Sequence, residues 1–188
     1  MKKSLGAKTL LFPTPVMIVG TYDEKGVPNA MNVAWGCIAS SEPPCLAISV
    51  REQRKTYKNI LANKAFTVNI PSEKYMKEAD YFGIISGNTA DKFKATGLTA
   101  VKSDHVDAPY IKEFPLVIEC VLKETHKLGV HTQFIGEIKD VKIEESALNA
   151  KGFPDPELMK AFMFDPGTSA YYATGKFLGQ AFTVGKKK

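Results

Sequence analysis

The stretch FPLVIECVLKETHKLGVHTQFIGEIKDVKIEE, beginning at Phe114, most limits what this chain can fold into. Ile118, Cys120 and Leu122 alternate toward one side, the period of a strand with one buried face. Gly129 falls near its middle, so the stretch predicts a long antiparallel hairpin turning near residues 127–130. A chain built around such a hairpin is committed to antiparallel pairing.

The remaining apolar runs are short and fit that commitment. Residues 16–22 and 30–38 predict two strands joined through DEKG, whose Asp and Gly suit a tight turn. CLAISV is a continuous apolar run flanked by Pro43 and Pro44, the pattern of a buried strand, and AFTVNI predicts another. TYKNILANK reads as a short helix with Thr56 as its N-cap, and SEKYMKEADYFG as a second with Ser72 as N-cap and Gly83 as its stop. DPELMKAFM predicts a third helix, and SGNTADKFKATGLT a loop. At least six short strands with few crossover helices predict a closed antiparallel barrel decorated by helices.

With 188 residues, 44% of them hydrophobic, the chain fits one globular domain over residues 1–188. No apolar run approaches the ~18 residues of a membrane span. Pro13 and Pro15 interrupt the N-terminal apolar residues, so no signal peptide is expected. Cys37, Cys45 and Cys120 sit in apolar surroundings without C-x-x-C spacing, which points to reduced thiols and a cytoplasmic location. Three cysteines are too few for a four-cysteine iron-sulfur cluster, and His126 and His131 do not match a metal-ligand spacing. No metal is expected. The net charge of +5 is spread along the chain, with a run only at Lys186, Lys187 and Lys188, and no basic stretch interleaves with aromatics. Neither nucleic acid nor membrane is an expected partner.

The distribution of arginine is unusual. Of 25 basic residues, 23 are lysine, and the two arginines, Arg51 and Arg54, stand three apart directly after CLAISV. A strand running into a helix N-terminus is an anion site in outline, and this corner adds Arg51, Arg54, Lys55 and the Thr56 hydroxyl. Guanidinium grips phosphate in a bidentate manner, whereas lysine acts as a point charge. Spacing alone leaves two readings, a phosphate site or surface pairs with Glu42 or Glu52.

The stretch from NVAWGCIASSEPP into CLAISVREQRKT resembles the cofactor segment of the flavin reductase-like family, the FMN-binding split barrels, and within it the flavoredoxins most of all. SGNTADKF resembles the family's Ser-Gly loop ending in Asp-Lys-Phe, and YYATGKFLGQAFTVGK its C-terminal segment. The resemblance implies a mainly β, Greek-key-like split barrel with helices, forming a homodimer that binds one FMN per protomer.

It also implies site residues. The phosphate falls to Arg51, Arg54, Lys55 and Thr56. Trp35 borders the flavin ring, with backbone amides from Ala34, Gly36 and Cys37 at its polar edge. Met31 covers a ring face or is a core methionine, and Ser40 and Ser41 bond the flavin or cap a turn. Lys92, in Asp-Lys-Phe, lies near the pyrimidine edge, while His131 and Phe164 line the pocket. His131 equally reads as a satisfied strand histidine.

The expected activity is that of an FMN-dependent oxidoreductase, with NAD(P)H or a redox protein as electron donor. There is no G-x-G-x-x-G, so NAD(P)H would stack on the flavin without a Rossmann domain. No side-chain nucleophile is expected. Two other readings stand beside this one: a reductase component that releases reduced FMN to a monooxygenase, and a non-catalytic binding module.

Overall fold

The structure is a computed structural model that describes residues 1–186; Lys187 and Lys188, the end of the lysine run, lie outside the described residues. In chain order the strands are β1 (Thr14–Pro15), β2 (Met17–Tyr22), β3 (Pro28–Val33), β4 (Gly36–Ser41), β5 (Pro44–Val50), β6 (Ala65–Ile70), β7 (Ala100–Lys102), β8 (Pro109–Ile111), β9 (Leu116–Leu128), β10 (His131–Ile143), β11 (Phe162–Asp165) and β12 (Ala170–Ala173). The helices are α1 (Lys55–Asn63), α2 (Met76–Ile84), α3 (Lys92–Thr96) and α4 (Pro156–Met159).

The predicted hairpin is β9–β10, and it lies in the middle of a seven-stranded sheet of order β3-β2-β6-β9-β10-β5-β4. Every pairing in that sheet is antiparallel. The sheet rolls up: Met31 near one end, Leu46 and Ile48 near the other, and Phe66, Cys120 and Phe134 between them share one buried cluster. Strands β3 and β4 at the two ends are not paired with each other, so the barrel stays split along this seam. The β9–β10 ladder is irregular at two points, with the unpaired extra residue Lys123 on β9 opposite the Ile135–Gly136 step and Lys139 on β10 between Ile138 and Asp140.

Alternation along β2 divides two cores. Met17 and Val19 face the barrel interior, while Val16, just before the strand, and Ile18 face a second cluster with Ala79, Phe82, Phe93 and Phe162. Helices α2 and α3 and strand β11 therefore cover the outside of β2–β3. Each fully buried side chain of this kind contributes roughly 1.5–3 kcal/mol.

Helix α1 is fixed to the barrel by a polar stripe. Thr56, Asn59 and Asn63 recur at helical spacing, and each is bonded to β2 or β3: Asn29 Nδ2 donates to Thr56 Oγ1 (2.9 Å), Asn59 Nδ2 to Thr21 Oγ1 (3.0 Å) and Asn63 Nδ2 to the Tyr22 carbonyl (2.7 Å).

The structure corrects several expectations. Residues 30–38 are not one strand: the chain leaves the ladder at Ala34 and Trp35, where the Trp35 carbonyl accepts the Ser49 N–H at 2.8 Å, and re-enters as β4. Gly36 permits this re-entry, because a Cβ there would lie 2.6 Å from the Ala47 carbonyl oxygen. Thr56 is not a cap; Arg54 holds that position without a side-chain bond, and the Thr56 hydroxyl is turned inward to Asn29. Ser72 precedes a 3-10 turn, Glu73–Tyr75, without a side-chain bond, and Gly83 lies inside α2, pressed against Asn32. The loop after Ser86 contains α3, capped by the Asp91 carboxylate accepting from Lys94 N–H. The predicted third helix is confined to α4, because Phe162 and Met163 join β11. Among the described residues, no helix is long and apolar enough to cross a membrane.

Candidate functional site

Two connected cavities lie at the split of the barrel. The first is a narrow crevice between the start of α1, strand β3 and the loop leading into α3, and it is bordered by Asn29, Arg54, Lys55, Thr56, Gly87 and Lys92. The second is a groove of about 320 Å³ bordered by Trp35, Ser49, Arg51 and His131, with Ala34 at its edge. Met31 and Arg54 belong to both. The groove widens outward into a further space of about 630 Å³ beside Leu10, Leu11, Leu128 and Val130.

Positive charge gathers at the crevice. Lys92 is only 4% exposed, and its ammonium donates to the Phe82 carbonyl at 3.1 Å, 5.7 Å from the centre of the Phe82 ring. It has no carboxylate partner, nor do Arg51 and Arg54 among the described residues. Burial, and then the positive charges of Arg54 and Lys55, push the Lys92 ammonium down to about 8. A buried cation with cationic neighbours and no counter-ion favours an incoming anion. Lys55 alone is paired, to Asp23 at 2.9 Å.

The crevice is also shaped at backbone level. A Cβ on Gly87 would fall on the Asn29 amide and lie 3.4 Å from the Lys55 side chain, so glycine there keeps a small space open. Asn29 in turn holds Thr56, its Nδ2 donating to the Thr56 hydroxyl oxygen. Asn29, Ser86 and Gly87 also line the crevice and were not singled out from the sequence; the glycine of SGNTADKF was the available signal.

The sequence-predicted residues separate into groups. Arg54, Lys55, Thr56 and Lys92 meet in the crevice, and Lys92 stands with them rather than with Trp35. Arg51 instead faces the groove with Trp35 and His131, whose imidazole is pushed down by burial and by the Arg51 charge. The surface pairings weighed for the arginines do not form; Glu52 binds Lys127 at 2.9 Å. Met31 is 7% exposed, lining the cavities while packing in the barrel core.

Gly36, Cys37 and Ser41 lie on edge strand β4, outside the two cavities. Ser40 Oγ donates to the Glu42 carbonyl at 3.2 Å and accepts the Glu42 N–H, closing a turn. Phe164 packs against Tyr171 in the second core, away from the groove of its own protomer. No group of three or more His, Cys, Asp or Glu among the described residues is placed to hold a metal ion.

Residues 9–177 match the model of the flavin reductase like domain. Among solved structures, the chain is similar to the flavoredoxin of Desulfovibrio vulgaris (Miyazaki F), at 50% identity and a TM-score of 0.95, covering 99% of this chain and all of that one. It is also similar to the flavoredoxin of Methanosarcina acetivorans, at 29% identity and a TM-score of 0.90, covering 99% and 98%. A protein of Aeropyrum pernix is 31% identical over 133 residues, 70% of this chain but only half the length of that relative. With a split barrel, a cationic crevice at its seam and a family match over nearly all of its length, this chain belongs to the flavin reductase-like domain family.

Proposed function

We propose that the chain is an FMN-binding redox protein of the flavoredoxin type, holding the 5′-phosphate in the crevice and the flavin ring in the groove. The observation that carries this reading is Lys92, a buried ammonium without a carboxylate, next to Arg54 in a crevice that opens at Met31 onto a groove beside Trp35.

The residues fit such a ligand. Arg54 and Lys55 at the start of α1 and Lys92 at the start of α3 supply positive charge, and the Thr56 hydroxyl adds a donor. Trp35 and Met31 offer apolar surface to the ring, and Arg51 and His131 offer polar contacts along its side. Bound FMN would supply two-electron chemistry, accepting electrons from NAD(P)H or a redox protein and passing them on. Arg51 would favour negative charge gathering on the ring side of the groove. Leu10, Leu11, Leu128 and Val130 border its outer part and are largely exposed, an apolar rim that a second copy of the chain would close to form the homodimer.

Purification under conditions that preserve bound ligands tests the reading. The protein is expected to be yellow, to keep its flavin through gel filtration, and to release FMN on denaturation. A colourless protein that binds no added flavin would refute it, and one that binds FMN only transiently would favour the reductase reading.

A further inference from the structure

We propose that Asp23 makes the site selective for a flavin ending in a single phosphate, against one whose phosphate is extended by a second nucleotide. This rests on the phosphate placement proposed above.

Three cavities follow one another. The groove shares Met31 and Arg54 with the crevice, and the crevice shares Lys55 with a third cavity of about 420 Å³, also bordered by Asp23, Lys58 and Asn88. A mononucleotide with its ring at Trp35 ends in the crevice, its phosphate held by Arg54, Lys92 and the near side of Lys55. A dinucleotide has to continue past it.

Asp23 stands at that threshold. Its Oδ2 pairs with Lys55 Nζ at 2.9 Å, and its Oδ1 accepts the backbone N–H groups of Lys25 and Val27, each at 2.9 Å. The carboxylate is therefore fixed in place by its own turn, and the Lys55 ammonium, followed by the backbone donors, holds it below the usual carboxylate range. Glu24, Lys25 and Lys58 also border the third cavity, so the discrimination lies at the threshold and not in the cavity's overall charge. A second phosphate meets a fixed negative charge and competes with it for Lys55. A terminal phosphate stays on the crevice side of Lys55, where Arg54 and Lys92 balance its charge. Repulsion of the wrong ligand, rather than extra attraction to the right one, is an established route to selectivity.

The test is calorimetric titration of the apoprotein with riboflavin, FMN and FAD, for the wild type and for Asp23→Asn. Asparagine keeps an oxygen for the Lys25 and Val27 donors while removing the charge. Asp23→Ser is a second variant with an oxygen acceptor, and thermal unfolding checks that both fold. The wild type is expected to prefer FMN over FAD by at least about tenfold, and both variants to narrow that ratio by about tenfold. A wild type without the preference, or variants that change FMN and FAD affinity equally, would overturn the role of Asp23. A wild type that binds FMN no better than riboflavin would instead overturn the phosphate placement itself.

Discussion

Lys92 and Phe82 are joined by a bond from a buried ammonium to a backbone carbonyl, 3.1 Å long, in a place where no carboxylate balances the charge. Burial first, and Arg54 and Lys55 second, lower the Lys92 ammonium to about 8. A bound phosphate restores the charge and raises it again.

FMN binding is therefore expected to take up a proton above pH 8. Affinity is fully present below about 8 and falls by up to about tenfold per pH unit above it, until the bound-state value is passed. Riboflavin lacks the phosphate and should show no such slope. In the ligand-free protein the sign is opposite: the unfolded chain holds the Lys92 proton more tightly, so this group adds stability as pH rises from about 8 toward the ordinary lysine value. Fluorescence titrations of both flavins, and melts of the apoprotein, across that window measure the two effects. Lys92→Met should abolish both.

Arg51 and Lys92 are expected to separate redox tuning from phosphate binding. Arg51 faces the groove with Trp35, so Arg51→Met is expected to lower the two-electron potential of bound flavin by some tens of millivolts. Lys92→Met should weaken FMN while leaving the potential nearly unchanged. Redox titration at one ionic strength, with Lys151→Met as an exposed control, distinguishes them; a reversed pattern would move Lys92 to the ring edge.

Glu119 on β9 is fully buried, and it holds one end of an ion network outside the site. Its Oε2 accepts the His105 N–H at 2.9 Å, and Lys142 Nζ lies 3.0 Å from Oε1 as an ion pair that is off hydrogen-bond geometry. Lys142 also pairs with Asp104 and Asp140. Lys142→Met strands a buried carboxylate and is expected to cost about 3 kcal/mol, the low end for a broken buried pair because Lys142 retains some solvent access. Urea unfolding measures it, and flavin affinity at saturating stability should not change.

The exposed apolar residues around the groove predict assembly. Leu11 is 74% exposed, Leu128 58% and Val130 68%, and they lie on the N-terminal segment and at the tip of the β9–β10 hairpin. Covering them in a symmetric pair removes this surface from water. Light scattering is expected to give twice the mass of the 20.6 kDa chain. A monomer that still retains flavin would contradict this.

The β fold was legible where side chains alternate cleanly. The β9–β10 hairpin follows from a period-two pattern turning near Gly129, and β5 and β6 from short apolar runs. The break at Ala34 and Trp35 was hidden because both residues are compatible with a strand; it arises from the tertiary bond between Ser49 N–H and the Trp35 carbonyl. Helix α3 has only five residues, too few for a periodic signal. Both arginines border the candidate cavities, but three-residue spacing could not show that Arg54 reaches the crevice while Arg51 lines only the groove. Burial of Lys92 and the role of Asn29 depend on packing between elements far apart in sequence, which one sequence does not display.

The most direct test of the central claim is the ratio of FMN to riboflavin affinity, measured by calorimetry for the wild-type apoprotein and for the double variant Arg54→Ala, Lys92→Met. Each charge-assisted bond is worth roughly 1.5–3 kcal/mol, so the wild type should favour FMN strongly and the double variant should lose at least about tenfold of that preference, with riboflavin affinity nearly unchanged. Equal losses for FMN and riboflavin, or a wild type indifferent to the phosphate, would contradict an anion site built from Arg54 and Lys92.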